Sequence, residues 1–192
     1  MPFDHFDLIA PIFSRVGYAS LEMMLAQADL PTFGRVLDVG GGTGRVASAI
    51  REHAGEVVIA DASLGMLRQA DRTQLGLACS NSESLPFPDG TFERIIMVDA
   101  LHHVIHQGQT VREMYRVLKP GGRIVIEEPD IRKFAVKLIA VGEKLLLMRS
   151  HFLSPQKIVD LFSFDSVKAW VHTTEGNAWV VIEKPKNNFS KG

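Results

Sequence analysis

Short apolar runs of strand length alternate along this chain with stretches in which apolar residues recur every three or four positions. Arg35–Val39 (RVLDV), Glu56–Ala60 (EVVIA), Leu75–Cys79 (LGLAC), Phe92–Val98 (FERIIMV) and Arg123–Glu127 (RIVIE) predict five buried strands. Helices are predicted between them. One starts near Thr43. Another is capped by Ser63, with Leu64, Met66, Leu67 and Ala70 on one face. A third runs to Leu118, with Thr110 and Glu113 at capping-box spacing, and Pro120-Gly121-Gly122 stops it. Such alternation implies an α/β fold, a parallel, doubly wound sheet with ligand sites beyond the carboxyl ends of its strands. The pattern then changes: Val167–Thr173 and Ala178–Glu183, joined around Gly176-Asn177, predict an antiparallel hairpin.

Outside the alternating region, Asp4–Leu30 is apolar but broken by Pro11 and Gly17, predicting a short helix and then a longer one over Ser20–Ala28. Between Ile131 and Phe164, a stripe of Phe134, Leu138, Val141, Leu145 and Met148 runs beside Lys133, Lys137, Lys144 and Arg149. A basic amphipathic helix of this kind is able to touch a membrane surface, and packing over a cleft is its more ordinary use. A length of 192 residues suits one domain, 1–192, and a net charge of -1 carries no footprint for wholesale nucleic-acid binding. With Cys79 alone there is no intramolecular disulfide and no multi-cysteine metal site, which fits a reducing, cytoplasmic setting. Met1–Asp7 lacks signal-peptide character and no apolar run approaches the roughly 20 residues of an integral membrane segment, so a soluble protein is expected.

Candidate chemistry centres on Val36–Ala47, VLDVGGGTGRVA, a buried strand that breaks into glycines and restarts as a helix. A dinucleotide fingerprint read from Gly40 requires glycine where Arg45 stands, and a P-loop requires Lys then Ser or Thr where Arg45-Val46 stand. Asp38, Gly40, Gly42 and Gly44 instead follow an acidic-x-Gly-x-Gly-x-Gly pattern, which resembles motif I of the class I S-adenosylmethionine (SAM) dependent methyltransferases. The resemblance implies a Rossmann-like, mostly parallel seven-stranded sheet closed by the C-terminal hairpin. It also implies SAM as cofactor. FDLIAPIF (Phe6–Phe13), LPFPDGTFE after Ser80-Asn81-Ser82-Glu83, the ALHH segment and KPGG are similar to stretches of the ubiquinone and menaquinone biosynthesis methyltransferases. That family has Tyr and Asp after its opening stretch where this chain has Phe13 and Ser14, and an Asp where this chain has Asn81.

Carried onto this sequence, the resemblance makes residues 1–30 a pair of lid helices over the cofactor and 131–165 an acceptor-side helical insert. Asp61, 23 residues after Asp38 at the end of the second strand, is placed to accept hydrogen bonds from both ribose hydroxyls, a geometry that serves NAD equally well. Ala62 and Met66 are implied against the adenine, with the Asn81 carbonyl on its amino group and the Ser82 amide on a ring nitrogen. Asp38 and the helix N-terminus suit the methionine ammonium and carboxylate. Asp99 closes the cofactor set at the end of strand four. His102 and His103, implied beside the methyl group, are the candidate general bases, since imidazole titrates near neutrality. His102 and His106 have metal-ligand spacing on a helix, but no further ligand completes a set, so no metal is expected. The expected activity is methyl transfer to C or O of a small, apolar or quinone-like acceptor. An NAD(P)-dependent oxidoreductase and a non-catalytic SAM-binding module are the alternatives.

Overall fold

The computed structural model describes residues 21–133, 150–174 and 176–186. The stretches expected as the first lid helix (within 1–20) and as the apolar stripe (134–149) lie outside them. The elements are α1 (Leu21–Ala28), β1 (Thr32–Val39), α2 (Arg45–Ile50), β2 (Ala54–Asp61), α3 (Leu64–Leu67), β3 (Gly76–Cys79), β4 (Phe92–Val98), α4 (Gln107–Val117), β5 (Leu118–Pro129), α5 (Pro155–Asp160), β6 (Lys168–Thr173) and β7 (Asn177–Glu183). Single 3₁₀ turns cover Arg51–His53 and Leu101–His103.

Seven strands form one sheet in the order β3-β2-β1-β4-β5-β7-β6. The first five are parallel, and β7 runs antiparallel between β5 and β6. This is the predicted α/β architecture with its closing hairpin. Because successive side chains of a strand point to opposite faces, each central strand feeds two cores. In β4, Ile95 and Met97 join Val111, Met114 and Phe162 on the α4 and α5 side. Ile96 joins Met24, Val46, Ile50 and Trp179 on the α1 and α2 side. Phe92, Phe162 and Trp179 are fully buried, and each large apolar side chain so placed contributes on the order of 1.5–3 kcal/mol.

The structure corrects three boundaries. Helix α2 starts at Arg45 and not near Thr43, because Gly44 is left-handed (φ 80°) and keeps Thr43 in the turn. The Thr110–Glu113 capping box is not formed: α4 begins a turn earlier, after His106, so Thr110 is inside the helix. Its buried hydroxyl pairs with Ser82 Oγ at 3.1 Å, and Glu113 accepts from the Leu85 amide at 2.9 Å and holds Arg116. Helix α4 ends at Val117, where Leu118 turns extended, so Lys-Pro-Gly-Gly belongs to β5 and takes up a register shift against Phe92–Arg94.

Candidate functional site

Between β1 and β4 the strand order reverses, and the loops leaving neighbouring strands diverge there to open a crevice. A cavity of about 570 Å³ occupies that position, within the range of small-molecule sites. Four segments line it: the glycine loop, the β2–α3 turn, the turn after β3, and the loop after β4.

Asp38 ends β1 with its side chain facing this cavity, yet it is 1% exposed. One of its oxygens, Oδ2, has no hydrogen-bond partner. Burial, followed by the charge of Asp61, pushes its carboxyl up to about 7; the Ala47 amide and Arg45 pull the other way. A carboxylate in this state, which Arg45 offsets only in part, is stabilised by a further cation. Gly41 makes room for it, since a Cβ there would lie 2.6 Å from Asp38 Cγ. At Gly44, φ is left-handed and an added Cβ would lie 2.7 Å from Ile59 Cδ1, so this glycine seats α2 on β2 and does not line the cavity.

Asp61 closes the opposite wall. Its Oδ2 accepts the Gly42 amide at 2.8 Å and its Oδ1 the Ser63 amide at 2.7 Å, tying the glycine loop to the β2–α3 turn. Ser63 caps α3 as expected, its Oγ accepting from the Met66 amide, and Met66 reaches back over Gly42. Ala62 lines the same wall. After β3, Asn81 is exposed and its Oδ1 accepts the Glu83 amide at 3.0 Å, holding a turn whose Ser82 lies at the cavity edge.

At the end of β4, Asp99 is left-handed (φ 52°), a conformation uncommon for a residue with a side chain, and its amide donates to Glu127 O at 2.9 Å. The two histidines that follow part company. His103 is half-buried and lines the cavity, and its ring is pushed down to about 3, first by burial and then by the neighbouring His102. His102 is 3% exposed, turned from the cavity, and pairs through Nδ1 with Glu128 Oε2 at 2.6 Å.

Thus Asp38, Gly40, Gly42, Asp61, Ala62, Met66, Asn81, Ser82, Asp99 and His103 come together around one cavity, and Gly44 and His102 stand behind its wall. Among the described residues no group of three or more His, Cys, Asp or Glu is arranged to hold a metal; His106 is exposed. Sequence reasoning missed Arg45, Val104 and Ile105 as lining residues, and also the buried carboxylates Glu127 and Glu128. Two successive acids closing a strand at the ligand-binding edge were the available signal for the latter.

A doubly wound sheet closed by an antiparallel hairpin, with carboxylates at the ends of its first two strands facing the glycine loop, is the class I SAM-dependent methyltransferase fold. Residues 37–126 match the family model described as a methyltransferase domain. The chain is 32% identical over 145 residues to the demethylmenaquinone methyltransferase of Corynebacterium urealyticum, covering 74% of this chain and 63% of that protein. It is 41% identical over 103 residues to a ubiquinone/menaquinone biosynthesis C-methyltransferase of Bordetella avium, covering 49% and 40%. The chain therefore spans between two fifths and two thirds of the length of these curated relatives. Among solved structures, the methyltransferase seen with the Trm112 activator in Haloferax volcanii superposes with a TM-score of 0.82 at 17% identity, covering 96% of this chain and all of that one. A SAM-dependent methyltransferase of Thermotoga maritima gives 0.75 at 21% identity, covering 93% and 98%. Residues 37–126 thus match a methyltransferase domain, and the chain resembles the ubiquinone and menaquinone biosynthesis methyltransferases.

Proposed function

We propose that this protein binds SAM in the cavity and moves its methyl group to a carbon or oxygen of a small, apolar or quinone-like acceptor. The observation that carries the reading is the buried, half-unpartnered Asp38, which suits the ammonium of an amino-acid cofactor. Asp61, on the cavity wall at the end of β2, takes the ribose hydroxyls, Ala62 and Met66 flank the adenine, and Asn81 and Ser82 lie at its edge. When bound, SAM supplies an activated methyl group on a sulfonium. The chain's own residues have to align the acceptor behind that methyl and keep water out, a positioning effect worth effective molarities of about 10⁵–10⁸ M. Val104 and Ile105 give the acceptor end apolar walls. Unprotonated His103 would accept a hydrogen bond from an acceptor hydroxyl and orient it, and the hydroxyl proton would be released to solvent as the acceptor is methylated.

A dinucleotide is disfavoured by charge. Its pyrophosphate would sit on the glycine loop, where Asp61 already holds the Gly42 amide and Asp38 lies beneath. Calorimetric titration with SAM and with NADH separates these readings: micromolar SAM binding and none of NADH is expected, and the reverse refutes the proposal. Mass spectrometry of a panel of hydroxylated naphthalenes, phenols and quinols incubated with SAM then tests transfer. Binding without methylation of any acceptor supports the non-catalytic alternative.

A further inference from the structure

Glu127 and Glu128 are consecutive on β5 and so point to opposite faces of the sheet. Glu128 is 4% exposed, on the face that carries Ile124 and Ile126 into the α4 core. Its Oε1 accepts the amides of Ala100 at 3.1 Å and Leu101 at 2.7 Å, and its Oε2 meets His102 Nδ1 at 2.6 Å. The His102 ring lies flat on Phe152, centroids 4.3 Å apart and planes 12° from parallel, and its Nε2 is 4.0 Å from Asp99 Oδ1. The His102 carbonyl accepts the His151 amide at 2.7 Å, and Gln107 Nε2 bridges the carbonyls of Leu101 and His151.

Resting on the reading of this cavity as a methyl-transfer site, we propose that Glu128 and His102 are a positioning pair for it: one carboxylate takes the His102 Nδ1–H and two loop amides, and so sets where Asp99 and His103 stand.

The loop from Asp99 to Ile105 supplies five lining residues, Asp99, Ala100, His103, Val104 and Ile105. It leaves β4 through a residue held at φ 52°, a conformation that persists only where the surroundings impose it. Three bonds to a single buried carboxylate supply that constraint. A buried carboxylate–imidazole pair is a poor route to stability alone, since apolar residues of equal volume do as well or better, so its return is geometric. Donation of Nδ1–H to Glu128 also fixes the tautomer, leaving Nε2 as the nitrogen on the Asp99 side.

Four proteins test this: the parent, Glu128→Gln, His102→Ala and His102→Asn. With ¹⁵N-labelled histidine, the parent is expected to carry the His102 hydrogen on Nδ1, and Glu128→Gln, whose amide donates, to shift it to Nε2 with displaced His103 resonances. SAM affinity by calorimetry should stay within about threefold of the parent, whereas kcat on the best acceptor falls roughly 10- to 100-fold. His102→Asn, whose amide replaces Nδ1–H, should recover at least tenfold of the kcat lost in His102→Ala; a structural role alone would give no such rescue at equal melting temperature. Parent kcat in Glu128→Gln despite the shifted ring signal, or equal loss in the two His102 variants, overturns the proposal. Should Glu128→Gln not fold, the Ala–Asn comparison and the parent's ring signal decide. If the parent binds SAM but methylates nothing, the functional reading fails by itself. The pairing is then judged by the histidine spectra, where undisplaced His103 resonances in Glu128→Gln refute it.

Discussion

On the proposed reading, in which Asp38 meets the ammonium of SAM, the affinity for SAM depends on pH in a way that can be worked out beforehand. In the unliganded protein burial and Asp61 place its carboxyl near 7, whereas an adjacent ammonium favours the charged form, so binding has to expel a proton. Only the ionised fraction is competent, and the apparent Kd is the intrinsic Kd divided by that fraction. For a pKa of about 7 the fraction is roughly 0.03 at pH 5.5 and about one half at pH 7, so the Kd for SAM should tighten roughly fifteenfold across that interval. The window stops at neutrality so that the ligand's ammonium stays charged. Isothermal calorimetry at pH 6 in two buffers of different ionisation enthalpy should show most of one proton released per SAM bound. Asp38→Asn removes both charge and titration: its Kd should be flat with pH and weaker at pH 7 by about 1.5–3 kcal/mol, the worth of a charged hydrogen bond. A flat Kd in the parent, or an unchanged slope in the Asn variant, refutes the reasoning.

The same group affects stability. Unfolded Asp38 ionises near 3.8 and folded Asp38 near 7, so between those values the folded form holds the extra proton, and stability of the unliganded protein falls as pH rises from about 4 to 7. The full effect is on the order of 4 kcal/mol, and a urea midpoint lower at pH 7.5 than at pH 5.5, with the difference lost in Asp38→Asn, is the expected result. Asp61→Ala removes two ligand acceptors and also the tethers on Gly42 and Ser63, so SAM affinity should drop more than about 100-fold by calorimetry while the protein stays folded; parent-like binding would make Asp61 a loop tie only. Asn81→Asp keeps the acceptor for Glu83 N–H and adds charge, so SAM binding should hold or tighten, and a large loss would displace the adenine from this edge. Gly44→Ala should cost about 2 kcal/mol or more by thermal melting, because the new Cβ meets both a left-handed φ and Ile59; a neutral result would show that α2 can shift to accommodate it.

Strand positions were legible because each buried strand carries an apolar run bounded by turn residues, and β4 matches its predicted bounds of Phe92 and Val98. The positions of the glycine loop and of the acids ending β1 and β2 were legible for a local reason: each is set by what lies within a few residues of it. The boundaries that moved are those decided by distant partners. Thr110 has the residue type of a cap, but the hydroxyl of Ser82, 28 positions away, gives it a place inside α4. The two histidines are indistinguishable in sequence, and it takes Glu128, brought alongside by the β4–β5 pairing, to turn His102 inward and leave His103 at the cavity. Arg45 entered the sequence reading only as the residue that excluded a dinucleotide fingerprint, and it proves to be a cation on the cavity wall beside Asp38.

The place of β7 in the sheet has a consequence for assembly. It inserts between β5 and β6, and Asn177 at its start donates to Glu127 at the end of β5 at 2.6 Å. Until that insertion, β5 is an open edge presenting Ile124, Val125 and Ile126, and a free edge of that composition pairs readily with other chains. A ribosome that has released only the first five strands has thus made every residue that lines the cavity, but has left the β5 edge uncovered. Fragments ending before residue 177 should collect in aggregates, and synthesis of the hairpin is the event that covers the β5 edge.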